Sequence, residues 1–478
     1  MAQRTAGKLQ QKTTLTPTKD TLTALKSDVT LETAILELCD NALDAWQRYS
    51  ARTDPANIEI FTEESDGSTT LIIRDDAGGV KEENASMLFG LGRTAKNESG
   101  GAIGTFGVGA KKSLVNLGLP FTLRSQHAEA DRGWRYRITE DWLENDQDWS
   151  VEIYEETDLE PGTTEIRIED LNYDWDENTA AYLREQLGES YNIFLSDDFQ
   201  SMREEEYDLT ISVDGEIVEA AGLPDWSYTP FDGLFPRRYE NIQIEVPDAE
   251  IQATLHVTVG LLRKKDSKTA GVDIYCQNRK VESGLRNDVG GFGTDTDQIG
   301  QFNSHHERLK VLVELETDEN GQHLPWDTQK SSIDRHNALM RGSNDARGVY
   351  NWLRRIVTPY YEADADTIPR AFLEYYPADN EYAANNGQVK QHDFSDRERI
   401  VPNCKPDLDL PEITEVRNKS QAHAILDVKC PSTVESWQIP AYQSQLKTES
   451  DIPVDNLPLV ESIPESLTPQ SAQRFAGQ

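Results

Sequence analysis

Glu37, Asn41 and Asp44 stand in the run Glu-Leu-Cys-Asp-Asn-Ala-Leu-Asp-Ala that begins at residue 37. At about 100° per helical residue the three lie within roughly 60° of one another, so a carboxylate, a carboxamide and a second carboxylate share one face. Leu36, Leu38 and Leu43 occupy the opposite arc. Such a stripe is either a solvated face or the polar wall of a cleft. Two later constellations favour the cleft. Asp75-Asp76-Ala77-Gly78-Gly79 closes an apolar strand, where a carboxylate can accept a hydrogen bond from an amino group and the glycines let a flat base approach the backbone. Gly104-Thr105-Phe106-Gly107-Val108-Gly109 then leads through Ala110 to Lys111, an arrangement that aims backbone N–H groups and a positive helix end at phosphate. These glycines do not directly follow a strand, so a Rossmann fingerprint is disfavoured, and the phosphate loop GxxxxGK[ST] is absent.

The elements that must hold these residues are legible in outline. Leu22, Leu25, Leu31, Ala34, Ile35, Leu38, Ala42 and Ala45 recur at threes and fours, which predicts a helix over 18–54. Apolar strands follow from Ile58, then a Gly-rich segment over 90–109, a short helix, and alternating strands around 121–125, 134–139, 149–156 and 163–171. Helices first and an antiparallel meander after predict an α+β sandwich, assigned to 1–204. A second α/β unit is assigned to 205–361. It would open with the hairpin 208–220, which has Asp-Gly at its turn, and close with the helix ending at Tyr361. Nine of the chain's 21 prolines fall in 401–478, so 362–478 reads as an acidic, partly disordered tail.

Taken in order, the three constellations resemble the ATP-binding domain shared by gyrase B, the ninety-kilodalton heat-shock chaperone, histidine kinases, MutL and the Microrchidia ATPases, the GHKL superfamily with its Bergerat-type sandwich. The resemblance covers roughly residues 20–170. It implies that Glu37 is the general base polarising the attacking water and that Asn41 binds the Mg²⁺ bridging the phosphates, with Asp44 completing the same box. Asp75 would read the adenine amino group and Gly79 would lie beneath the base. Thr94 and Lys96 match a lid segment, Gly104 to Gly109 the loop around the γ-phosphate, with Lys111 beside it, and Thr163 the hydroxyl that closes the adenine site. Ala77 departs from the family, which usually has glycine there; its methyl narrows the pocket. The family completes its site with a lysine from the following transducer domain. Lys330, in a loop after a strand, is preferred over Lys280, in a hairpin turn.

The implied function is Mg²⁺-dependent binding and hydrolysis of ATP, coupled to lid closure and to clamping of a nucleotide-dependent homodimer that acts on DNA or a protein partner. The alternative is a nucleotide-responsive or chaperone-like binding module with little useful turnover. The 478 residues carry 47 Lys+Arg against 85 Asp+Glu, a formal net charge of −38, which argues against a broad sequence-independent grip on nucleic acid or an anionic membrane. No run of eighteen apolar residues occurs and the first 17 residues are polar, so the expectation is a cytoplasmic protein with no membrane partner. The four cysteines form no CxxC pair, which disfavours zinc and a disulfide framework.

Overall fold

The computed structural model describes residues 19, 29–49, 54–65, 67–85, 103, 109–145, 148–226, 236–246, 251–262, 265–295, 298–317, 321–343 and 347–375. Helix α1 spans Leu31–Tyr49. It begins where it does because the Thr30 hydroxyl accepts the Thr33 N–H at 3.2 Å, satisfying an otherwise orphan donor of the first turn. Within the expected span 18–54 the described helix covers 31–49, and residues 29 and 30 precede it without helical structure. Residues 20–28 of that expectation lie outside the described residues.

Among the described residues, eight strands form the first sheet: β1 (Ala56–Ser65), β2 (Ser68–Asp75), β3 (Phe121–Gln126), β4 (Gly133–Ile138), β5 (Tyr154–Glu156), β6 (Thr163–Ile168), β7 (Leu209–Val213) and β8 (Glu216–Ile217). Their order is β5-β4-β3-β6-β2-β1-β7-β8, antiparallel throughout except for the parallel pair β1–β7. Strand alternation turns Ile58, Ile60, Leu71, Ile73, Phe121 and Leu123 toward the helices, where they join one buried cluster with Ile35, Leu38 and Trp46 of α1. Each such side chain contributes about 1.5–3 kcal/mol of burial. On the other face Arg74 and Arg124 converge on Glu165, which is fully buried, with Nε–Oε distances of 2.8 Å each. This sheet with α1, α2 (Gly109–Leu117) and α4 (Glu177–Ser190) is an α+β sandwich.

One assignment is corrected. The hairpin β7–β8, expected to open the second unit, is the edge of the first sheet, with Ala56 paired to Leu209 and Ile60 to Val213. The parallel pairing follows because the helical connection after β6 returns the chain to the side of β1 left open by β2, and Ile211 and Val213 are fully buried there. That connection contains α4, α5 (Asn192–Leu195) and α6 (Asp197–Arg203), whereas α3 (Glu140–Glu144) lies between β4 and β5. The C-terminal end of α3 is closed by a distant residue: the Lys19 ammonium donates to the carbonyls of Trp142, Asn145 and Asp148 at 2.5, 2.9 and 2.6 Å.

The second sheet runs β12-β11-β13-β10-β9, from β9 (Arg237–Val246), β10 (Ile251–Leu261), β11 (Gly271–Cys276), β12 (Arg279–Leu285) and β13 (Leu309–Glu316). A short helix α7 (Ala338–Arg341) packs on β9, and α8 (Val349–Tyr375) on β10 and β13. Helix α8 passes Tyr361, where the second unit was expected to close. The tail beyond 375 lies outside the described residues. No helix among the described residues is long and apolar enough to cross a membrane.

Candidate functional site

Helix α1 is largely buried between Ala34 and Trp46. Its apolar arc meets the first sheet, and its polar stripe is closed over by the second unit, leaving Glu37, Asp40 and Asp44 at 7%, 0% and 8% exposure. Three carboxylates cannot be buried without partners, and each has one. Lys330, fully buried, places Nζ 2.6 Å from Glu37 Oε2 and 2.8 Å from Asp40 Oδ2. Arg279 Nη1 donates to the same Asp40 oxygen at 2.5 Å. The Tyr191 hydroxyl stands 2.8 Å from both Asp40 Oδ1 and the Leu36 carbonyl. Burial opposes the Lys330 ammonium, but Asp40 and then Glu37 outweigh it and hold its pKa above the ordinary lysine value. Burial and the Asp40 charge likewise keep Tyr191 protonated.

The remaining members of the box take different jobs. Asn41 donates its amide nitrogen to the Glu37 carbonyl at 2.8 Å, which turns the carboxamide oxygen, the atom able to ligate a cation, away from that carbonyl. Asp44 accepts the Ile103 N–H at 2.7 Å, so its carboxylate anchors the stretch preceding the glycine loop. Gly109 starts α2 against Glu37: a Cβ there would overlap the carboxylate and stand 2.7 Å from Glu37 Cγ. Lys111, 3% exposed, is pushed down to about 8 by burial, with Glu37 opposing. Thr94, Lys96, Gly104, Thr105, Phe106, Gly107 and Val108 lie outside the described residues.

At the far end of β2, the Asp75–Val80 turn is stitched to β3 and β6. Gly78 N–H donates to Gly162 O at 2.9 Å, Ala128 N–H to Gly78 O at 3.0 Å, and Val80 N–H to Ser125 Oγ at 2.8 Å. Gly79 has φ +66°, and a Cβ there would lie 2.6 Å from the Gln126 carbonyl carbon, so only glycine fits. Asp76 is spent on Asn57, whose N–H and Nδ2 reach its two oxygens at 2.6 and 2.8 Å. Asp75 is left facing the helix layer. It is partly exposed, and burial pushes its carboxyl up to about 7, against the Ala77 N–H that favours the charged form. The Ala77 methyl packs into the core cluster at 3% exposure.

The register corrects the expected hydroxyl. Asp75 pairs with Thr164, and Thr163 is in phase with Glu165 on the opposite face of the sheet. Thr164 Oγ1 lies 3.0 Å from Ser125 Oγ on the Asp75 side. The signal was present in the alternation: Ile166 and Ile168 are the inward positions of β6, and Thr164 keeps their phase. The two candidate lysines also part. Lys330 is in the α1 cluster, whereas the Lys280 ammonium pairs with Glu189 and lies 3.9 Å from Asp273. Asp40 and Arg279 were missed by the sequence reading. Asp40 adds a third carboxylate to the helical face of Glu37 and Asp44, a charge that a buried face must neutralise.

Residues 29–171 match the family described as histidine kinase-, DNA gyrase B-, and HSP90-like ATPase. This match spans α1, the Asp75 turn, Gly109 and β6, the elements that form the site. Residues 29–171 belong to the GHKL superfamily. Over shorter stretches the chain is similar to three proteins of Arabidopsis thaliana. It is 34% identical to Protein MICRORCHIDIA 6 over 96 residues, 20% of this chain and 14% of that protein. It is 34% identical to Protein MICRORCHIDIA 4 over 85 residues, 18% and 10%, and 32% identical to Protein MICRORCHIDIA 7 over 85 residues, 18% and 12%. The chain thus spans a small part of the length of the curated relatives it matches. The matched domain is of an ATP-binding kind, and the Arg279 and Lys330 groups that reach α1 lie outside it.

Proposed function

We propose that this chain binds Mg-ATP and hydrolyses it, with Glu37 as the base that polarises water and Lys330 as the cation for the terminal phosphate. The observation that carries the reading is the Lys330–Glu37 contact of 2.6 Å in a buried site beside Gly109, made by residues 293 apart in sequence. A fully buried ammonium supported by two carboxylates is a preformed anion partner, and a carboxylate at a glycine-rich helix start is placed for a water on phosphorus.

Asn41 fits the metal expected with the nucleotide. One carboxamide oxygen is too little for an all-protein cage, and among the described residues no group of three or more His, Cys, Asp or Glu is placed to hold an ion. A single neutral oxygen does suit an ion that arrives on phosphates, since Mg²⁺ keeps phosphate and water ligands and takes one or two from protein. Bound there, the ion would neutralise charge on the phosphates. Asp75, with Thr164 across the strand pair, would accept from the adenine amino group above Gly79. The segment carrying Thr94 and Lys96 would fold over the nucleotide from its anchor at Asp44 and Ile103, and closure would favour pairing of two copies acting on DNA or protein. For DNA, Arg238 is excluded as a surface contact, being 4% exposed and paired to Glu314. A cytoplasmic setting belongs to this reading, in keeping with the free thiols of Cys39 and Cys276.

Glu37→Ala tests the chemistry. Phosphate release should fall by about 10²-fold or more while nucleotide affinity stays near wild type. Equal rates for both proteins would refute the assignment. Sedimentation with and without a non-hydrolysable ATP analogue, repeated with duplex DNA, tests the clamp; an unchanged mass would remove it.

A further inference from the structure

Lys330 faces two tasks that conflict. To serve a phosphate it must leave Glu37, yet a buried ammonium that leaves its only carboxylate would have nothing to hold it. Asp40 resolves the conflict. It is fully buried, shares Lys330 with Glu37 at 2.8 Å, and is held in turn by Arg279 at 2.5 Å and by the Tyr191 hydroxyl at 2.8 Å. Glu37 and Asp40 against Lys330 and Arg279 sum to zero formal charge, so the cluster is neutral while Lys330 bridges the two carboxylates.

The loops that deliver the two cations are both strained. Lys330 has φ +55°, and Arg279 follows Gln277 and Asn278 at φ +50° and +66°, in the tight turn joining β11 to β12. Left-handed backbone at non-glycine residues costs about 1–3 kcal/mol each and persists where surrounding structure enforces it. Here Gln277 is tied to the Thr317 carbonyl at 2.8 Å and Asn278 to the Tyr207 hydroxyl at 3.3 Å. Among the described residues the buried Arg279 Nε has no hydrogen-bond partner. A tip built this way sets Arg279 in one place relative to α1.

We propose that Asp40 and Arg279 are positioning residues for Lys330. Asp40 carries the ammonium when it swings from Glu37 to the terminal phosphate, which frees Glu37 to act on water, and Arg279 fixes Asp40 from the second sheet. The proposal rests on the reading that Lys330 serves a phosphate. It makes the 2.6 Å Lys330–Glu37 pair a resting contact that keeps the base occupied until nucleotide arrives.

The test compares Asp40→Asn, Lys330→Met and the double variant in the full chain, measuring kcat, KM and affinity for a non-hydrolysable ATP analogue. Asp40→Asn should lose about 10²-fold in kcat, the usual cost of an ångström-scale misplacement, with KM and analogue affinity within about threefold of wild type. Because Asp40 acts through Lys330, the double variant should be no slower than Lys330→Met alone. Losses that multiply would mean an independent structural role and would overturn the proposal, as would a wild-type kcat for Asp40→Asn beside a slow Lys330→Met. A wild-type kcat for Lys330→Met would overturn the underlying functional reading as well. Should Asp40→Asn fail to fold, Arg279→Lys keeps the cation but loses the guanidinium reach; it should show the same kcat-selective loss and the same non-additivity with Lys330→Met, and wild-type kcat in it would overturn the proposal.

Discussion

Replacing Gly109 by alanine sets two effects against each other in one methyl group. Alanine favours the start of α2 by up to about 1 kcal/mol relative to glycine. The added Cβ, however, would overlap the Glu37 carboxylate and stand 2.7 Å from its Cγ, where ordinary contact begins at 3.4 Å. Backbone fixes both ends of this contact, since Gly109 begins α2 and Glu37 lies mid-α1, so the side chain must yield. Glu37 would retreat by about 1 Å or more, out of the 2.6 Å contact with Lys330. Losing that charge-assisted hydrogen bond costs about 1.5–3 kcal/mol, so the net expectation is a loss of about 1–2 kcal/mol in stability despite better helix propensity. The catalytic consequence is larger: displacing a base by an ångström costs about 10²-fold, or about 2.7 kcal/mol of barrier. The assay is phosphate release at saturating ATP beside a thermal melt and a nucleotide titration. A Gly109→Ala protein with kcat within about threefold of wild type would refute the reasoning. So would intact kcat with lost affinity, because the methyl would then be meeting nucleotide rather than Glu37.

Two further expectations concern pH. The Asp75 carboxyl, raised to about 7 from 3.8, accepts an amino N–H more strongly when ionised, so below pH 7 binding should release protons and adenosine affinity should rise as pH climbs through 7. Calorimetry in buffers of differing ionisation enthalpy measures that release; it should vanish in Asp75→Asn, and Thr164→Val should weaken adenosine binding where Thr163→Val does not. Glu314 is the opposite case. Burial would raise it, but Arg238 and Arg203 outweigh burial and bring it down from 4.5 to about 2. A depressed carboxyl stabilises the fold fully above its unfolded value and loses that contribution as pH falls from 4.5 toward 2, so acid melting should steepen there. Glu314→Gln should remove the steepening and cost about 3–5 kcal/mol by leaving two buried guanidinium groups underpaired.

How much of this was legible varied with the range of the interaction. Local patterns carried the elements: the apolar repeat in α1, the alternation in β2 and β6, and the Asp-Gly turn of β7–β8. They could not say where β7 pairs, because its Ile211 and Val213 fit the edge of either sheet equally well, and only the path of α4 to α6 brings it beside β1. The distinction between Thr163 and Thr164 is a one-residue phase, readable in principle from Ile166 and Ile168.

The sequence by itself determined that a carboxylate and a carboxamide share one helical face, that an acidic residue ends β2 at paired glycines, and that glycines lead into Lys111. Those are properties of spacing, fixed by 3.6 residues per helical turn and two per strand repeat. The tertiary structure decided which charges meet. Arg279 comes from the second sheet and Lys330 from a loop after it, some 240 to 290 positions away, Lys280 turns to Glu189, and Asp40 changes from an unremarked neighbour of Asn41 into the centre of a buried cluster of paired charges. No periodicity encodes that choice, because the partner of a buried charge is set by what the fold closes over it and by the cost of leaving it unpaired.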